Sequence, residues 1–253
     1  MIAVLILSFF VTALLYASVG FGGGSTYNAL LVLHGADYRI LPAIALICNI
    51  IVVSGGAWRF SRTGDLNWRG LAPFLMASVP AAWMGGRIPI TETVFIGVLG
   101  GSLLIAGAHL LLQRQRSNAE EVKPTPMATA LTVGGGIGFL SGLVGIGGGI
   151  FLAPILYFLH WGRAKEIAGA CSLFILVNSL SGLTGQFMKL QSIDAIGMIQ
   201  EYWLLFPAVL VGGQIGSRLS TTRLSPKTIK RLTAVLILYV SVRLLLRWLG
   251  LVV

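Results

Sequence analysis

The sequence predicts an all-α, polytopic membrane protein made of two related halves, and three observations predict it. Of the 253 residues, 56% are hydrophobic and only 10% are charged, whereas a water-soluble domain usually carries about 25% charged residues. The apolar residues form eight long segments separated by charges and prolines. Sequence motifs of the first four segments return, in the same order, in the last four.

Each apolar segment is long enough for a membrane crossing, which takes roughly 20 residues. The most polar connection, residues 114–126, contains five charges and two prolines and lies near the middle of the chain. It predicts a first transmembrane repeat at 1–113, a linker at 114–126 and a second repeat at 127–253. The segments span residues 2–33, 40–60, 69–87, 92–113, 127–159, 164–189, 198–217 and 228–250.

The internal duplication is carried by short motifs at nearly constant spacing. The glycine cluster at 20–24 returns as the cluster at 145–149, and Asn49 and Gly56 match Asn178 and Gly185. The stretch that begins Pro80-Ala81 and continues to Gly85-Gly86 returns from Pro207-Ala208 to Gly212-Gly213. Offsets of 125 to 129 residues, kept in order along the chain, indicate a duplicated architecture.

The first segment of each half is too long for one straight helix. About 32 residues would extend ~48 Å, against a hydrocarbon core of ~30 Å. A glycine cluster interrupts each of these segments near its middle, where a continuous helix is disfavoured. We therefore expect each to break or turn back there, giving eight segments and up to ten helices.

The distribution of Lys and Arg predicts how the halves are oriented. If the two long segments turn back, thirteen of the eighteen Lys and Arg residues fall on one side of the membrane. If each crosses once, the charges divide evenly and no orientation is favoured. Cytoplasmic loops carry the excess of Lys and Arg, so the first arrangement is preferred. Each half then makes an odd number of crossings, and the second half is inverted relative to the first.

The glycine clusters are the main candidates for a binding site, through Gly22, Gly23, Gly24, Gly147, Gly148 and Gly149. Unwound backbone inside a membrane must be buried in protein or line a polar cavity. The helix that resumes after each cluster would point free N–H groups and the positive end of its dipole at the break, which suits an anion. Close helix packing is the alternative role for such small residues.

Neutral polar side chains near the clusters extend this candidate site. Ser25, Asn49, Asn178 and Gln186 lie within apolar segments and are further candidates for contact with an oxyanion. Hydrogen bonding between helices, worth about 0.6 kcal/mol on average, is the alternative.

The sequence offers little for catalysis or for other ligands. No Asp or Glu lies deep in an apolar segment, and the chain carries no phosphate-binding loop or His-Glu-x-x-His zinc motif. Cys48 and Cys171 are interpreted as small core residues. We therefore expect no enzyme activity, no cofactor, no metal and no nucleic-acid partner.

The sequences around the two glycine clusters resemble those of a known protein family. Residues 142–149, followed by Pro154, and the weaker twin at 18–24 resemble the sulfite exporter TauE/SafE family, also called the 4-toluene sulfonate uptake permease family. The resemblance extends to the duplicated halves, the polar linker and the Gly216-Ser217-Arg218 sequence after Pro207. It implies passive or secondary transport of a sulfur-containing anion, such as sulfite, a sulfonate or sulfoacetate, often outward.

Together these observations predict a multi-pass transporter of the bacterial inner membrane that works by alternating access, one half rocking against the other around a midplane site. An anion channel is an alternative, and an intramembrane sulfur-handling enzyme that uses Cys48 or Cys171 is another. The expected partners are a small sulfur oxyanion and the lipid bilayer, and a homodimer with a second copy of the chain is a further hypothesis.

Overall fold

The computed structural model describes residues 2–18, 20–63, 67–112, 124–193, 195–219 and 226–251. All regular secondary structure in these ranges is helical. Most of the predicted linker, residues 114–123, lies outside the described residues. The helices are α1 (Ile2–Ser18), α2 (Gly24–His34), α3 (Leu41–Thr63), α4 (Trp68–Arg87), α5 (Glu92–Leu112), α6 (Met127–Val144), α7 (Gly149–Phe158), α8 (Ala164–Ser192), α9 (Leu205–Leu219) and α10 (Pro226–Trp248), with a 3₁₀ helix at Ile196–Tyr202.

Both long apolar segments are broken at their glycine clusters, as the sequence predicts. Gly23, just before α2, and Gly148, just before α7, have φ values of 90° and 80°. This left-handed conformation is costly for a residue with a Cβ atom but not for glycine. The chain therefore leaves one helix and begins the next within four or five residues, and α1–α2 and α6–α7 form matching broken pairs.

Four of the described helices, α3, α5, α6 and α8, are long and apolar enough to cross a membrane. A fifth span is obtained if the 3₁₀ helix and α9, which are bent by 56° at the break between them, are counted together. The helices α1 and α7 are apolar but shorter. The predicted helical membrane architecture is confirmed, and four or five of the eight predicted apolar segments are candidate membrane spans by length and composition among the described residues.

Each half packs one of its helices against the other half, an arrangement that we call the exchange of α4 and α9. The helix α4 packs against α6 and α8 of the second half, while its counterpart α9 packs against α1 and α3 of the first half. The helices α3 and α8 pack against each other, and so do α5 and α10. Replacing each helix by its counterpart in the other half leaves this set of helix pairs unchanged, so the pattern of helix contacts is symmetric between the halves.

Glycines make the contact between α4 and α6 very close. A Cβ atom added at any of three glycines spaced by four residues on α6 would collide with a backbone carbonyl oxygen of α4; these are Gly134, Gly138 and Gly142. The contact between α1 and α9 is built in the same way, since Cβ atoms at Gly212 and Gly216 would meet the carbonyls of Phe10 and Leu14. Small residues allow helix backbones to approach closely in membranes.

The buried side chains form two cores that follow this exchange. One core draws only on α4, α6, α7 and α8, with Trp161 of the loop before α8. The larger core gathers α1, α2, α3, α5, α9, α10 and the 3₁₀ helix, with the end of α6 and Leu190 near the end of α8. We call α1, α2, α3 and α9 the first bundle and α4, α6, α7 and α8 the second bundle. The glycine breaks lie where the two bundles meet.

Candidate functional site

Asn49 of α3 lies between the two glycine breaks. A Cβ atom added at Gly22 would collide with Asn49 Oδ1, and one added at Gly24 would collide with Asn49 Nδ2. On the other side, a Cβ atom at Gly147 would lie 2.6 Å from Asn49 Nδ2. The side chain is fully buried, so the absence of side chains at these glycines is what makes room for it.

Ile175 of α8 is the apolar neighbour of both breaks. Its side chain would collide with a Cβ atom at Gly149 and would lie 3.0 Å from one at Gly147 and 3.2 Å from one at Gly22. Asn49 from the first bundle and Ile175 from the second bundle therefore meet at the same point.

The starts of α2 and α7 present backbone N–H groups at this meeting point. Neither N-cap, Gly23 or Gly148, supplies a side-chain cap. The first backbone bonds within these helices are donated by Thr26 to Gly23 and by Phe151 to Gly148. The N–H groups of the preceding residues point out of the helix end, where the dipole is positive.

The end of α6 is surrounded by amide side chains. Asn28 Nδ2 donates to the Val144 carbonyl at 2.7 Å, and Asn49 Nδ2 donates to the Ile146 carbonyl at 3.3 Å. Gln186 Nε2 donates to the Gly142 carbonyl at 2.7 Å. The last carbonyls of a helix have no partner within the helix, so three amides from α2, α3 and α8 satisfy carbonyls at this end and at the break that follows.

These hydrogen bonds fix which way each amide group faces. Rotating any of the three amides by 180° would bring its oxygen against a carbonyl oxygen, which is unfavourable. Asn28 Oδ1, Asn49 Oδ1 and Gln186 Oε1 are therefore the atoms left over, and each is buried without a hydrogen-bond partner among the described residues. The side chains around the break thus offer acceptors to a ligand, while the helix starts offer donors.

The structure brings most of the predicted site residues together. Gly22, Gly23, Gly24, Gly147, Gly148 and Gly149 form the breaks, Asn49 lies between them and Gln186 lies at the end of α6. Ser25 is buried in the first turn of α2. Asn178 behaves differently from its counterpart Asn49, because its Nδ2 donates to the Phe174 carbonyl of its own helix at 2.8 Å.

Two polar residues at the breaks were not predicted from the sequence as site residues. Asn28 satisfies the Val144 carbonyl, yet its counterpart in the second half is Ala153, so the comparison of the halves gave no signal for it. Ser172 Oγ donates to the Gly20 carbonyl at 2.7 Å. An isolated serine in an apolar helix gives no indication from sequence that it will meet a break.

Away from the breaks, a polar cavity of about 330 Å³ lies beside the loop between α2 and α3. Two ion pairs line it, Asp37 with Arg39 and Glu92 with Arg247. Hydrogen bonding from Arg39 lowers the pKa of the Asp37 carboxyl from its usual value. Because these four charges form two ion pairs, the cavity offers less to a charged ligand than four unpaired side chains would.

Comparison with known proteins gives a consistent result. The sequence profile described as sulfite exporter TauE/SafE matches residues 5–244. A "Probable membrane transporter protein" of Sinorhizobium fredii is 34% identical over 244 residues, which cover 95% of this chain and 97% of that protein. Another, from Bacillus subtilis, is 23% identical over 261 residues, covering 96% and 99%. No solved structure matches the chain significantly.

The family profile spans nearly all of the described helices, from α1 to α10, and both glycine breaks lie inside the matched region. The chain therefore belongs to the sulfite exporter TauE/SafE family.

Proposed function

We propose that this chain is a multi-pass membrane transporter that moves a small sulfur-containing oxyanion, such as sulfite, a sulfonate or sulfoacetate, across the bacterial inner membrane, in the outward direction. The observation that carries the proposal is the meeting of two uncapped helix starts, those of α2 and α7, at one buried point between two bundles. A helix start binds anions through its N–H groups and its dipole. The family name supplies the sulfur anion.

The arrangement fits a carrier that works by alternating access. Secondary transporters commonly hold their substrate at broken helices between inverted repeats. The division of Lys and Arg in the sequence favours an inverted second half, and the exchange of α4 and α9 agrees with a two-fold relation. We infer that the units that move are the two bundles, because α4 is packed tightly on α6 and α9 on α1.

The test is uptake of sulfite and a panel of sulfonates into proteoliposomes by the wild type and Gly149→Ala. The added methyl group would force Ile175 to move and would crowd the start of α7. We expect saturable uptake of at least one anion and an uptake rate about tenfold lower in Gly149→Ala, a loss that corresponds to about 1.4 kcal/mol.

Gly136→Ala on α6 is the matched control, because a Cβ atom at Gly136 has no neighbour within 4 Å. It is expected to transport like the wild type. Equal uptake by all three proteins would show that the glycine breaks are not part of the transport site. If no sulfur anion is taken up, the proposed substrate class is wrong.

Two alternatives give different outcomes in the same vesicles. A channel would carry steady single-channel current and show little counterflow. An intramembrane enzyme acting through its thiols would be inactivated by the double change Cys48→Ala and Cys171→Ala, whereas a carrier would keep its uptake. Both thiols are fully buried, which favours the carrier over thiol chemistry on a ligand from solution.

A further inference from the structure

The amides that surround the end of α6 leave hydrogen-bond acceptors without partners among the described residues. The carbonyls of Gly142, Val144 and Ile146 lie close together in sequence, at the last turn of α6 and the break after it. Each already receives an N–H from a side-chain amide. The oxygens of those amides, Asn28 Oδ1, Asn49 Oδ1 and Gln186 Oε1, are buried and have no hydrogen-bond partner among the described residues.

All three side chains are fully buried, so leaving their oxygens without hydrogen bonds lowers the stability of the folded protein. A buried acceptor without a partner costs roughly 1–3 kcal/mol. Three such atoms from α2, α3 and α8 around one helix end are more readily explained by a ligand that supplies positive charge or donors than by three independent defects.

From this geometry we propose a binding site for a monovalent alkali cation at the carboxyl-terminal end of α6, formed by the side-chain oxygens of Asn28, Asn49 and Gln186. Oxygen atoms are the ligands that hard cations prefer, and the end of a helix dipole is negative there. Divalent hard cations are usually bound through carboxylates, and the described residues contain no cluster of three His, Cys, Asp or Glu side chains. The neutral set of oxygens therefore favours a single positive charge.

The cation site and the proposed anion site lie on opposite sides of the same break. Asn49 lies beside both, because its Oδ1, the atom assigned to the cation site, also faces Gly22 next to the start of α2, while its Nδ2 is held by the Ile146 carbonyl. A bound cation would neutralise an anion held at the helix starts, so each is expected to increase the affinity for the other. This coupling rests on the proposed function, whereas the cation site itself does not.

The first experiment measures thermal unfolding of the purified wild type in detergent, without any sulfur anion. NaCl, LiCl and KCl are each titrated against choline chloride at constant ionic strength. Binding to the folded state alone raises Tm, so we expect a saturable rise of several degrees with at least one alkali cation and none with choline. Identical Tm values in all four salts would overturn the cation site.

Two variants sharpen the test. Gln186→Lys keeps a donor for the Gly142 carbonyl and places an ammonium group where the cation would lie. We expect it to lose the response of Tm to alkali salts. Asn28→Asp removes the donor to the Val144 carbonyl but adds a negative charge to the site. It is expected to lower the Tm measured in choline and to shift the midpoint of the alkali titration to lower cation concentration. A response unchanged from the wild type in both variants would contradict the assignment of these residues.

Asn178→Asp is the matched control, since Asn178 is a buried amide with an unpartnered oxygen that bonds its own helix and not the end of α6. It should keep the midpoint of the alkali titration. Where a variant fails to fold, the wild-type titration still decides the question.

Uptake separates this inference from the proposed function. If sulfur-anion uptake occurs and replacing sodium and potassium by choline leaves both uptake and Tm unchanged, the cation site is wrong and the transporter stands. If alkali cations raise Tm but no sulfur anion is taken up, the site stands and the proposed substrate is wrong. With both correct, the cation changes the apparent affinity for the anion by about 5- to 150-fold, the usual size of such coupling.

Discussion

Glycine can be required for its left-handed backbone conformation or for its lack of a side chain in a crowded place, and single residues separate these two requirements. Gly148 has φ of 80° and is also closely surrounded, because a Cβ atom there would lie 2.7 Å from Ile137 and 2.9 Å from Phe174. Gly35, which ends α2, has φ of 79°, but a Cβ atom there would have no neighbour within 4 Å. The two positions therefore share the same backbone requirement and differ in packing.

We predict that Gly148→Ala is the more damaging of the two substitutions. A left-handed residue with a Cβ atom costs roughly 1–2 kcal/mol, and this cost is expected at both positions. Overpacking adds about 1–3 kcal/mol at Gly148 alone. Thermal unfolding in detergent is the measurement. Similar Tm values for the two variants would show that packing around Gly148 relaxes freely and that only backbone conformation matters there.

At the scale of the helix, the end of α6 shows how a broken membrane helix is stabilised. Its free carbonyls cannot bond to lipid, and the three amides that reach them come from other helices, two of which belong to the first half. The break of the first half is held differently, through Ser172 and the Gly20 carbonyl. The two breaks share left-handed glycines at two matching positions, Gly20 with Gly145 and Gly23 with Gly148, but Gly147 is left-handed and Gly22 is not. Different side chains hold the two breaks.

We predict that Asn28→Ala lowers stability by about 1–3 kcal/mol more than Asn178→Ala, because it leaves the buried Val144 carbonyl without a donor. The carbonyl that Asn178 bonds, that of Phe174, lies within α8 and can accept a backbone N–H of the same helix in either case. The comparison is made by thermal unfolding of both variants. An equal loss in both would mean that α6 ends without needing this cap.

At the scale of the whole molecule, the exchange of α4 and α9 favours motion of the two bundles over motion of the two sequence halves. The predicted motion, one half rocking against the other, would separate α4 from α6 and α9 from α1. Those are the pairs in which glycines bring the backbones together. Motion between the two bundles would instead be centred on the contact between α3 and α8.

Two disulfides distinguish these motions. A Cβ atom at Gly56 on α3 would lie 4.0 Å from Ser172 Cβ on α8, and one at Gly135 on α6 would lie 3.7 Å from Ala77 Cβ on α4. Both distances suit a disulfide. We predict that oxidising Gly56→Cys/Ser172→Cys, in a background with Cys48→Ala and Cys171→Ala, reduces uptake about tenfold and that a reducing agent restores it.

Oxidising Gly135→Cys/Ala77→Cys should leave uptake unchanged, because both residues lie in the second bundle. Both disulfides join the first half to the second half, so motion of the halves would be blocked by either one. Inhibition by the α4–α6 disulfide would therefore contradict motion of the bundles.

The sequence by itself determined the helical fold class, the duplication and the two breaks. Each of these depends on local properties, namely apolar length, repeated motifs and glycine clusters that disfavour a continuous helix. It also identified Asn49 and the glycines that the structure places around it, because a polar side chain in an apolar segment and a glycine cluster are both visible in the sequence.

Only the tertiary structure decided what those residues contact. The exchange of α4 and α9 between the halves depends on surfaces far apart in the chain, and no segment reveals it alone. The same is true of Asn28, which has no polar counterpart in the second half, and of the amide nitrogens, which bond to carbonyls and leave oxygens facing the break. Hydrogen-bond partners are set by which helix ends meet, and helices separated by a hundred residues meet only in the folded protein.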